Sequence, residues 1–137
     1  MRSALIILVL ASSFASAGNQ SPSNPLIGKW YFLDKPDGCR DTYHFRDDGT
    51  FSSTSGLEAI EGRYKLQSPT PDTNGRYAVT RTIEKDRGAE DCVGSTSVQT
   101  GKTDTRYIYF DSTEEQLMVC SSPTSTDCFG PLLRAHQ

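Results

Sequence analysis

Apolar and polar residues alternate with period two along most of this chain, and turn-forming clusters break the alternation every few positions. Successive side chains of a strand point to opposite faces, so such alternation marks segments with one face in a core and the other in water. Eight segments read this way: 27–33, 41–46, 50–54, 59–67, 76–85, 105–110, 116–120 and 128–132. Between them lie Asp47-Asp48-Gly49, Ser55-Gly56, the run 68–75 (SPTPDTNG) and the run 111–115. Their Asp, Asn, Gly and Pro residues favour tight reversals. Past the N-terminal segment no window sustains the i, i+3, i+4, i+7 spacing of a helix, and a short turn near 112–115 is the one helical candidate. The expected fold class is all-β, an antiparallel sandwich or up-and-down β-barrel of about eight short strands.

The N-terminal segment is organised differently. Arg2 supplies a positive charge, residues 4–11 (ALIILVLA) form a short apolar run, and Ala15-Ser16-Ala17 is a small-x-small cleavage site. The apolar run is less than half of the ~20 residues that a membrane span needs. Residues 1–17 therefore read as a signal peptide, 18–25 as a polar leader with nothing to bury, and 26–134 as one domain. No cysteine near the cleavage site suggests a lipid anchor, so the product is expected to be periplasmic or secreted. The chain of 137 residues has a formal charge of −3, and its basic residues are scattered with no run of three. Nucleic acid, which demands clustered Lys and Arg, is not an expected partner. A monomer without cofactor is expected.

Four cysteines remain: Cys39, Cys92, Cys120 and Cys128. In an exported domain an even count reads as two disulfides. A zinc site would want a short C-x2–4-C knuckle, which is missing. If eight strands run up and down, the connections after the first, third, fifth and seventh share one end. All four cysteines then gather there, and each of the three pairings stays open. The favoured pairing is Cys39–Cys92 with Cys120–Cys128. The first would staple the long 87–104 connection, whose only core-type residues are Val93 and Val98, and the second would close a polar loop.

Alternation assigns Trp30 and Phe32, Tyr43 and Phe45, and Ile60, Tyr64 and Leu66 to inner faces. In the fifth segment Tyr77, Val79 and Ile83 share a face with Arg81. Such an Arg packs its stem on aromatic rings and sends its head to the barrel mouth, or binds an acidic ligand.

Gly28-Lys29-Trp30 resembles the G-x-W that opens lipocalins and related calycin barrels. The following Tyr43-His44-Phe45-Arg46-Asp47-Asp48-Gly49-Thr50-Phe51 and Gly62-Arg63-Tyr64 are similar to small exported bacterial proteins with lipocalin-like domains. The likeness spans about residues 26–66. The later 91–95 and 128–132 stretches resemble exported bacterial proteins that carry no function over. The resemblance implies that Trp30 plugs one barrel end, with Gly28 allowing close backbone packing and Arg134 lying over the ring. The mature chain is shorter than a full lipocalin and lacks its long C-terminal helix. A small barrel filled by Phe and Tyr is expected to leave little room for a ligand.

Catalytic chemistry finds no foothold in the sequence. His44 alternates with Tyr43 and Phe45 and is expected outside, in solvent. His136 is expected to be mobile. No G-x-S-x-G elbow appears. Asp47 and Asp48 suit a hairpin turn, and Asp86, Glu90 and Asp91 lack the spacing of a calcium loop. What remains is a non-enzymatic binding protein. Its disulfide-stapled loop end is expected to engage a protein partner in the cell envelope, of inhibitor or immunity type, through Arg81, Arg106 and Asp91. The alternative is a lipocalin-like carrier of a small apolar or amphipathic ligand.

Overall fold

The computed structural model describes residues 23–33 and 37–136. The segment expected to be a signal peptide, residues 1–17, and most of the expected leader lie outside the described residues. Eight strands follow one another: β1 (Gly28–Leu33), β2 (Arg40–Phe45), β3 (Thr50–Ser55), β4 (Glu58–Leu66), β5 (Tyr77–Asp86), β6 (Thr103–Phe110), β7 (Gln116–Cys120) and β8 (Cys128–Arg134). Each begins and ends within two residues of the segment expected from alternation. Neighbours in sequence pair antiparallel, and β8 closes on β1 through Trp30↔Arg134 and Tyr31↔Leu133. The result is a closed up-and-down barrel, a form that removes unpaired edges and is compatible with a lipocalin-like fold. Among the described residues there is no helix. The 112–115 segment is a turn in which Asp111 Oδ1 accepts from the backbone N–H groups of Glu115 and Gln116, both at 3.0 Å.

The inner faces carry Trp30, Phe45, Phe51, Ile60, Tyr64, Val79, Ile83, Ile108, Leu117 and Leu132. At one end the barrel is plugged. Trp30 is 1% exposed, its Nε1–H donates to Leu26 O at 2.9 Å, and the Arg134 guanidinium lies 4.2 Å over its ring. Arg134 also donates to the carbonyls of Pro25, Ile27 and Glu114 at 2.9–3.0 Å, tying three chain segments to the plug. A Cβ at Gly28 would stand 3.0 Å from the Arg134 guanidinium, so glycine leaves the room that the Arg needs. Gly62 sits at a register shift in β4, where a Cβ would meet Thr82 O at 2.1 Å and Phe51 Cε1 at 2.7 Å. The missing side chain lets the Phe51 ring lie against the strand.

The other end carries the cysteines. Cys39 joins Cys92 and Cys120 joins Cys128, the pairing expected from the sequence. Two disulfides suit an oxidising compartment. The 87–102 connection folds back over this end and is held by its own polar groups. Asp86 accepts from Gly88 N and Gln99 N, each at 2.8 Å, Leu57 N donates to Glu90 O at 2.9 Å, and Cys92 N donates to Ser55 Oγ at 3.0 Å. Val93 and Val98 stay largely exposed, so the loop has no core at all and depends on these bonds and the Cys39–Cys92 bridge.

Candidate functional site

Inward-facing side chains leave space between them. A cavity of about 310 Å³ begins near Leu26 above the plug and rises between Phe45, Val79, Ile108, Leu117 and Leu132. It reaches Tyr43, Arg81, Arg106, Val119 and Phe129 toward the cysteine end. This corrects the expectation of a filled interior. Phe45 stacks edge-on against Tyr64 and lies beside Phe51, so the large rings crowd one wall. Branched aliphatic residues on β5 to β8 form the opposite wall and leave the gap. The volume lies at the low end of the ~300–1,000 Å³ typical of ligand pockets, which suits a small ligand rather than a long lipid.

The polar end of this cavity is a three-residue array. Alternation turns Arg81 inward on β5, and register places it opposite Asp104 on β6. Arg81 donates twice to that carboxylate, from Nε at 2.7 Å and from Nη2 at 3.1 Å. Arg106, two residues along the same face of β6, donates from Nε to Asp104 Oδ2 at 3.2 Å. Burial alone would raise the Asp104 carboxyl, but Arg81 and then Arg106 outweigh it and hold it below the usual carboxylate range. Two guanidinium groups thus share one carboxylate beside an apolar cavity. The side chains of Arg81 and Arg106 are 25% and 43% exposed, so this end communicates with water.

Acidic groups crowd the β2–β4 side of the same rim. Asp41, Ser55 and Glu58 form one row across β2, β3 and β4. Glu58 is 8% exposed, and burial, then Asp86, Asp91 and Asp41, push its carboxyl up. Asp41 Oδ1 is buried without a hydrogen-bond partner. Between the acidic and basic sides stands Tyr43, whose hydroxyl is pushed up to about 12 by burial and by Asp41, and so stays protonated.

The expected site residues divide. Arg81 and Arg106 come together at the cavity. Asp91 is placed otherwise, because its Oδ1 accepts from Val93 N at 2.9 Å and Ser95 N at 2.8 Å and so shapes the loop. Asp86 is likewise occupied with loop backbone, and no group of three His, Cys, Asp or Glu among the described residues could hold a metal ion. Asp48 accepts from Thr50 N and Oγ1 within the hairpin turn. His44 faces outward. His136 is not free, since its Nε2 lies 2.6 Å from Glu115 Oε2. Sequence reasoning missed Asp104. The signal was present, because Asp104 and Arg106 are two apart and share a face once β6 starts at Thr103 rather than at Thr105.

Comparison of the chain with protein-family models, curated proteins and solved structures finds no match.

Proposed function

We propose that this protein is an exported, non-enzymatic, lipocalin-like carrier whose barrel takes a small amphipathic anion. The apolar tail would enter between Val79, Ile108, Leu117 and Leu132, and the anionic head would meet Arg106 and Arg81. The carrying observation is the pairing of an apolar cavity with two guanidiniums that share a single carboxylate. A buried Arg with a carboxylate to itself would be a structural ion pair, but here Arg106 shares a carboxylate that Arg81 already holds by two bonds. The signal peptide and the two disulfides support a periplasmic or secreted location.

Calorimetric titration with octanoate, octanol and octylamine tests the assignment. Octanoate should bind, and octanol should bind roughly ten- to a hundredfold more weakly, because a charge-assisted hydrogen bond contributes about 1.5–3 kcal/mol. Arg106→Met should erase that preference. Equal binding of octylamine and octanoate would refute an anion site.

A second function, docking of a protein partner on the cysteine end, is favoured by one observation. Leu57, Val93, Val98 and Phe129, at 45–81% exposure, all lie at that end. A pull-down from envelope extract would compare the native protein with a variant shortened across 89–99 that also carries Cys39→Ser. A partner retained equally by both would exclude this role for the loop.

A further inference from the structure

The outer face of the β1–β2–β3 sheet gathers basic residues that are scattered in the sequence. Alternation turns Lys29 and Tyr31 of β1, Arg40, Thr42 and His44 of β2, and Ser52 and Thr54 of β3 away from the core. Register sets Lys29 beside His44 and Ser52, and Tyr31 beside Thr42 and Thr54. The Arg40 guanidinium lies 4.8 Å over the Tyr31 ring, which holds it above the sheet. At the far end Arg46 donates to Ser52 Oγ at 3.0 Å. A shallow cleft of about 290 Å³ runs along this face, lined by Lys29, Tyr31, Arg40, Thr42, His44 and Ser52 among others, and no carboxylate of the described residues lines it.

Among the described residues, the acids that act on Arg46 have firmer partners of their own. Glu61, opposite Ser52 on β4, is drawn to Lys85 at 2.9 Å, and Asp48 is held by Thr50. The His44 imidazole is lowered by burial and then by Arg46 and Lys29, as expected in a cationic field. A cleft lined by Lys29 and Arg40, with Arg46 at its end and no carboxylate of the described residues in its lining, runs against the formal charge of −3 for the whole chain.

The spacing identifies the kind of ligand. Arg40 and Arg46 are six residues apart along one strand direction, about 20 Å at ~3.3 Å per residue, with Lys29 between them. One small anion cannot span that length, whereas an extended chain with repeated negative charges can. The cleft offers hydroxyl groups between its cations and no exposed large apolar side chain for a lipid surface. Its outer aromatic ring is already covered by Arg40, which leaves no platform for stacking a base.

We propose that this outer face binds an acidic polysaccharide, with carboxylates on Lys29, Arg40 and Arg46 and sugar hydroxyls against Thr42, Ser52 and Thr54. The site lies on the opposite side of the sheet from the barrel cavity and does not depend on what that cavity holds.

Titration of the isotopically labelled protein with oligogalacturonate, followed by amide shifts, tests the proposal. Shifts should concentrate on the outer positions of β1, β2 and β3, and affinity should fall as salt rises. The combined variant Lys29→Gln, Arg40→Gln, Arg46→Gln should weaken binding at least about tenfold, given three solvent-accessible ion pairs of modest strength. The single variant Lys29→Gln, at an exposed position, should weaken it in the same direction and guards against a folding defect in the triple variant. A neutral dextran oligosaccharide should produce no shifts. Undiminished binding by both variants, equal binding of dextran, or shifts on this face with anionic vesicles or single-stranded DNA but not with oligogalacturonate would each overturn the proposal.

Discussion

Replacing Arg134 by Met keeps an unbranched stem against the barrel and removes only the guanidinium. Three hydrogen bonds are lost, to the carbonyls of Pro25, Ile27 and Glu114, together with the cation–π contact at 4.2 Å over Trp30. A hydrogen bond from a charged donor contributes about 1.5–3 kcal/mol when buried. The Arg134 side chain is 20% exposed, and the freed carbonyls at the barrel end can regain water, so about 1 kcal/mol per bond is the appropriate figure. The cation–π contact adds about 1 kcal/mol. The Glu115 carboxylate, 4.0 Å away, adds little. The sum is a loss of about 3–4 kcal/mol, a large part of the 5–15 kcal/mol that holds an ordinary domain together. At roughly 4 °C per kcal/mol for a domain of this size, Tm should fall by about 12–16 °C. Trp30 is the only tryptophan of the chain and 1% exposed, so its fluorescence reports the unfolding of Arg134→Met without a label, and circular dichroism follows the variants that lack the ring. A double-mutant cycle with Trp30→Leu should return about 1 kcal/mol of coupling between ring and cation. A Tm within about 2 °C of wild type, or zero coupling, would show that Arg134 is a surface residue and not the closure of the plug.

The acidic rim, the disulfides and the β4 bulge each give a further test. The Glu58 carboxyl is raised in the folded state, so its contribution is fully present below the unfolded value and is lost as pH rises through the raised one. Glu58→Gln should therefore raise the unfolding midpoint at pH 8, with the advantage vanishing toward about pH 4; a gap independent of pH would contradict the burial argument. The Cys39–Cys92 bridge spans 53 residues and the Cys120–Cys128 bridge 8, which on chain entropy makes them worth ~4 and ~2.5 kcal/mol. Urea midpoints of the two double Ser variants should fall in that order, and a reversed order would refute the chain-entropy ranking. Gly62→Ala drives a methyl against Thr82 O and Phe51 and should cost about 1–3 kcal/mol, read as a lower urea midpoint at unchanged slope.

Alternation carried most of the fold in the sequence because nearly every strand has one wet face, and a wet face is what period two records. The strand order followed from turn clusters short enough to force neighbours to pair, the parity of those turns gathered the cysteines at one end, and the need to staple two coreless loops favoured the pairing found. The interior was misjudged for a physical reason. Counting aromatic residues measures the volume supplied, while a cavity depends on how rings such as Phe45, Phe51 and Tyr64 crowd one wall. Arg81 was recognisable as an inward cation from its parity with Val79 and Ile83. Its partner was hidden, since Asp104 sits in the last residues of a polar connection where the start of β6 is ambiguous. The outer basic face was invisible for a different reason. Lys29, Arg40 and Arg46 come from two strands and a turn, and only register brings them into one line.

Methyl-resolved NMR of the protein titrated with octanoate asks directly whether the barrel interior receives an amphipathic anion. The methyl groups of Val79, Ile108, Leu117 and Leu132 should shift together and saturate at one ligand concentration, while the exposed methyl groups of Leu57 and Val93 remain still. Shifts confined to Leu57 and Val93, with the interior methyl groups unmoved at saturating octanoate, would contradict a ligand inside the barrel.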